Sequence, residues 1–131
     1  MRHFPEPVDN RPIGPPYAFL IEERTKKTNG SYIGMDRFGI DVLLPFEDRV
    51  NTVAELCKQG YAAKIVLSHD ASCFIDWFDA EMRAAAMPKW NFTHISDEVL
   101  PALRARGVTE AQINQMLVEN PRRIFEHGGA Y

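Results

Sequence analysis

Residues 64 to 68, KIVLS, constrain the fold more than any other stretch of the chain. Their apolar residues do not alternate with polar ones, which marks a strand covered on both faces, as in a parallel sheet. Asn29-Gly30 signals a turn before SYIGM at 31 to 35, a run with the β-branched and aromatic character of a short strand. Between the two runs the pattern predicts a helix opening near Pro45, where proline's missing N–H costs nothing. Val50, Val53, Leu56 and Cys57 line one face of that helix and Gly60 stops it. Strand, helix and strand at this spacing form a βαβ unit, so the fold class is α/β.

The remaining chain is organised around its prolines and its aromatic residues. Five of the nine prolines fall in residues 1 to 16, a density no helix or central strand sustains. Residues 1 to 28 therefore read as an N-terminal arm, poorly ordered or carrying a short helix over 17 to 27, ahead of a folded portion from 29 to 131. Residues 71 to 93 show no clean period but hold Phe74, Trp77, Phe78, Trp90 and Phe92, a long aromatic loop with about one helical turn at 79 to 86. Ile95, Val99 and Leu103 repeat at helical spacing up to Gly107, which requires the helix to start near Asp97 or to kink at Pro101. TEAQ at 109 to 112 matches a capping box, and Asn120-Pro121 reads as the N-cap and first residue of a restarted helix.

Composition narrows the function classes. A chain of 131 residues, 45% hydrophobic and 25% charged, fills one globular domain. A net charge of −3 without clustered Lys or Arg gives no footprint for nucleic acid or an anionic membrane surface. No apolar run approaches the ~20 residues of a spanning helix, and the first residues contain no apolar leader core. Cys57 and Cys73 match no CxxC or zinc spacing, so a reduced, cytoplasmic setting is expected.

In parallel α/β architectures, reactive groups gather at the carboxyl ends of strands. Asp70 falls there, as a metal ligand or base on one reading and a loop or capping acid on the other. His69 would face the opposite side of the strand, and fits a supporting role better than a shared site. Ser68-His69-Asp70 is no nucleophilic triad, because contiguous residues cannot build the relayed geometry. Arg37, in DRFG after the earlier strand, offers a guanidinium to a carbonyl or phosphoryl oxygen or else pairs with Asp36 or Asp41. His3, His94 and His127 show no HxH or HExxH spacing.

GSYIGMDRFGID, KIVLSHDAS, HISDEVLPALRARGV and NPRRIF, in this order over residues 30 to 126, resemble the carboxyl-terminal end of the phosphotriesterase family of the amidohydrolase superfamily. The resemblance implies a partial TIM (β/α)8 barrel: the last two β/α units, strands seven and eight, with C-terminal helices. It implies that Asp70 ligates one ion of a two-metal centre, usually zinc, and handles the proton of the attacking hydroxide on an ester, lactone or phosphotriester. The DRFG wording is similar to the lactonase-like branch, in which the residue matching Arg37 lies at the substrate pocket and that matching Trp77 walls its leaving-group or acyl side.

The family's other metal ligands, an HxH pair, a carboxylated lysine or glutamate, and two later histidines, have no counterpart in this sequence, and a full barrel takes about 250 residues. A truncated member, weak or inactive alone, is the expectation. The alternative is a non-catalytic remnant that uses bare strand edges to pair with another copy or a complementing chain.

Overall fold

A computed structural model describes residues 31–126, so the arm and helix expected before residue 29 lie outside the described residues. Strand β1 (Ile33–Met35) pairs in parallel with β2 (Ile65–Leu67), with Ile33 opposite Ile65 and Met35 opposite Leu67. Both strands are shorter than their sequence runs. The ladder nevertheless continues past them, since the Ser68 N–H donates to the Met35 carbonyl at 3.0 Å and the Phe38 N–H to the Ser68 carbonyl at 3.3 Å.

The crossover is helix α1 (Phe46–Lys58), with Pro45 as its extended N-cap residue. Glu47 and Asp48 in its first turn and Lys58 in its last suit the helix dipole. It closes in a Schellman arrangement: Gly60, at φ +91°, donates to Cys57, and Tyr61 donates to Leu56. A left-handed residue at that position is what the missing Cβ permits.

Helix α2 (Ala80–Ala86) is the helical turn expected within the aromatic loop, capped by Asp79, whose carboxylate accepts from the Met82 N–H at 2.7 Å. None of its residues is buried. The chain then forms a π-helical turn, Ile95–Val99, running directly into α3 (Leu100–Ala105). Pro101 thus neither starts nor breaks the helix. The Leu100 N–H reaches back five residues to the Ile95 carbonyl, and this wider turn precedes the residue that can neither donate nor tolerate the usual carbonyl behind it.

The same device recurs in the last helical run. Helix α4 (Glu110–Asn114) opens with the expected capping box, the Gln112 N–H donating to Thr109 Oγ1 and the Thr109 N–H to Gln112 Oε1. A π turn, Gln115–Glu119, follows and leads into α5 (Asn120–Phe125) just ahead of Pro121. The expected restart at Asn120 does not occur. Asn120 has helical dihedrals and is fully buried, and its amide donates to the carbonyls of Ala62 and Ile65, each at 2.7 Å. The polarity that reads as a cap serves instead to tie the last helix to β2.

The core lies on one side of the sheet. Phe38, Val50, Val53, Leu56, Ile65, Val99, Leu103 and Met116 fill it, with Met35 and Leu67 packed against them. Gly34 is exposed and Val66 half-buried, so the two-sided covering expected of KIVLS is realised on the helix side alone among the described residues. Burial lifts the Cys57 thiol to about 11. No helix among the described residues is long and apolar enough to cross a membrane.

Candidate active site

Arg37 and Asp70, singled out separately in the sequence, come together at the carboxyl ends of the two strands, with Arg37 Nε 4.0 Å from Asp70 Oδ2. Asp36 Oδ2 lies 3.8 Å from the same nitrogen. All three side chains are more than half exposed, and exposed ion pairs of this length contribute little, so the charges do not fix the geometry. The main chain does. Arg37 at φ +59° and Asp70 at φ +54° are the two non-glycine residues of the described chain in the left-handed region.

Each strained residue follows a carbonyl held by a buried side chain. Arg49 of α1 is buried and donates through Nη1 to the Asp36 carbonyl at 2.8 Å, through Nε to Leu44 at 3.2 Å and through Nη2 to Ile40 at 3.3 Å. Desolvation draws its pKa down while Asp41 and Asp36 oppose that shift, so one guanidinium organises the loop after β1. On the other side, buried Trp90 donates through Nε1 to the His69 carbonyl at 2.7 Å. Arg83 lies 4.6 Å over the Trp90 ring and donates to the carbonyls of Ser72 and Trp90.

The two loops meet at Gly39. A Cβ added there would lie 2.5 Å from the Lys89 carbonyl oxygen and 2.8 Å from Trp90 Cα, so glycine is what lets the loop after β1 seat on the backbone beside Trp90. Within the Asp70 turn, the Asp70 N–H donates to Ser68 Oγ at 3.1 Å and the Ala71 N–H to His69 Nδ1 at 3.0 Å, while the His69 ring meets Phe92 edge-on. His69 therefore supports the turn instead of sharing its mouth, as strand alternation suggested. Sequence reasoning missed Arg49 and Trp90, because their partners are main-chain carbonyls distant in sequence. The aromatic density around Trp90 was the nearest signal.

Trp77 is not drawn into this pair. It is 82% exposed, as is Phe74, on the loop between β2 and α2. A cavity of about 370 Å³ opens beneath that loop, lined by Phe74, Ile75, Phe78, Arg83, Met87 and Trp90. No group of three or more His, Cys, Asp or Glu side chains that could hold a metal occurs among the described residues. Asp70 faces a guanidinium, so these residues alone do not fit a two-metal centre. His94, buried behind α1, shares Glu98 with Lys89 and has no partner for Nε2.

Comparison with known proteins identifies the chain's family. The phosphotriesterase family model matches residues 22–125. The phosphotriesterase homology protein of Mycobacterium tuberculosis is 57% identical over 102 residues, 78% of this chain and 31% of that protein. The solved phosphotriesterase structure from Mycobacterium tuberculosis superposes with a TM-score of 0.82 at 53% identity, over 86% of this chain and 34% of that one. A structure of organophosphate hydrolysis engineered from a weak promiscuous lactonase template gives a TM-score of 0.68 at 35% identity, over 80% of this chain and 34% of that one. The chain thus spans about a third of the length of the relatives it matches, with two parallel strands and helices that correspond to part of their fold. It belongs to the phosphotriesterase family.

Proposed function

We propose that the chain is the strand-seven and strand-eight portion of a metal-dependent hydrolase acting on ester bonds, lactones or phosphotriesters. The observation carrying this reading is the placement of Arg37 and Asp70, both left-handed and side by side, at the carboxyl ends of parallel strands. Conformational strain of this kind persists where surrounding structure over-determines it, and it clusters at active sites. Asp70 is the proton-handling carboxylate and one metal ligand, and Arg37 orients the carbonyl or phosphoryl oxygen. Trp77 walls the substrate, its exposed ring being free to do so. The further donors a divalent ion such as zinc requires come from barrel strands outside these residues.

Activity therefore depends on completing the barrel. The test mixes the chain with zinc, alone and with the amino-terminal two thirds of the Mycobacterium tuberculosis relative, and assays lactone and phosphotriester hydrolysis. Turnover in the mixture that is lost on Asp70→Asn is the expected result. Turnover indifferent to that substitution would refute the role given to Asp70.

A second reading, a non-catalytic partner, is favoured by the exposed aromatics Phe74 and Trp77 and by a sheet that, among the described residues, has two strands and unpaired outer edges. Zinc-independent oligomers without turnover in any mixture would select it.

A further inference from the structure

The geometry points to Arg49 and Trp90 as positioning residues that hold Arg37 and Asp70 in their left-handed conformations, each by gripping the carbonyl immediately ahead of the strained residue. The two contacts are built alike. Arg49 Nη1 reaches the Asp36 carbonyl at 2.8 Å and Trp90 Nε1 the His69 carbonyl at 2.7 Å, and both donors belong to buried side chains whose positions are fixed by packing. Fixing the carbonyl of one residue fixes the peptide plane that sets φ of the next. The clamps are joined, because Gly39 packs on the Lys89–Trp90 backbone and Arg83 secures Trp90 from the other side.

A left-handed non-glycine residue carries an intrinsic penalty, and a hydrogen bond that fixes the preceding carbonyl opposes it. The functional weight of the Arg37–Asp70 pair rests on the reading proposed above, whereas the clamp itself concerns backbone geometry and is measured without metal or substrate.

The test uses the 131-residue chain. Trp90→Phe keeps an aromatic ring for Arg83 and Phe78 while removing the Nε1–H along with part of the indole, a packing loss that the Asp70→Gly comparison cancels. Backbone NMR shifts should show Asp70 leaving the left-handed region, with exchange of the Ala71 amide about tenfold faster and the β2 amides unchanged. In an Asp70→Gly background, where a left-handed φ carries no penalty, the same substitution should cost measurably less stability.

A folded Trp90→Phe chain with unmoved Asp70 shifts overturns the proposal, as does an equal cost in both backgrounds. Should Trp90→Phe unfold the chain, Arg49→Lys carries the test at Arg37. It keeps the charge but not the three-carbonyl fork, and unmoved Arg37 shifts would overturn the proposal equally. Failure of the hydrolysis assay would leave these shifts as expected, and failure of the clamp would leave Asp70 available for catalysis.

Discussion

At the scale of single residues, the site stores conformational energy that a structural loop would avoid. Asp70 at φ +54° is exposed, so its side chain gains no burial in exchange. Asp70→Gly should therefore raise stability by about 0.5–1 kcal/mol, the relief of the left-handed penalty less the entropy a glycine loses on folding. A later urea midpoint with an unchanged slope is the expected readout, and an earlier midpoint would show that the turn is relaxed as it stands. Position on a strand end made Asp70 and Arg37 candidates, because the carboxyl edge of a parallel sheet is readable from periodicity, while their roles came only from the family resemblance. Their conformations were not readable. They depend on Arg49 and Trp90, which meet carbonyls 13 and 21 residues away along the chain.

At the scale of elements, locally encoded signals were legible and long-range ones were not. The capping box at Thr109 and Gln112 and the glycine stop of α1 involve residues within a few positions of each other. Asn120 shows the opposite case. Beside Pro121 it has the residue types of a helix start, yet the structure spends its amide on the carbonyls of Ala62 and Ile65, 58 and 55 residues earlier. Asn120→Leu should remove the donor that both carbonyls share, leaving Ala62 only the Ile65 N–H, and cost about 2–3 kcal/mol, checked by thermal or urea unfolding. A loss near 1 kcal/mol, the usual worth of an N-cap, would mean that the bridge to β2 contributes little. Pro101 teaches a related lesson, since a rule that allows a start or a kink omits the π turn that accommodates it in a continuous helix.

At the scale of the whole molecule, the helix-side core sets the alkaline limit of stability. Cys57 lies in it, and burial raises its thiol to about 11. A group whose folded pKa is raised holds its proton more tightly when folded, so its contribution is complete below the ordinary thiol range of about 8.5 and is lost as pH rises toward 11. Urea midpoints should fall across that window and fall less in Cys57→Ala. At pH 7 a disulfide-exchange reagent should modify exposed Cys73 and spare Cys57. Rapid modification of both thiols would show that the core opens readily.

That core has a further consequence. Ile65, Leu67 and Met35 point into an interior complete on its own side, whereas a Cβ at Gly34 would meet nothing within 4 Å. Among the described residues the sheet has a finished side and an unfinished one. A gene segment encoding residues 31 to 126 would carry its own interior into any fusion, and the seam to be matched by a new neighbour takes in Gly34, Val66 and the two strand edges, with exposed apolar side chains such as Val118 and Phe125 beyond them. Recombination between relatives could then exchange the Arg37–Asp70 mouth as a cassette, leaving the helices that support it undisturbed.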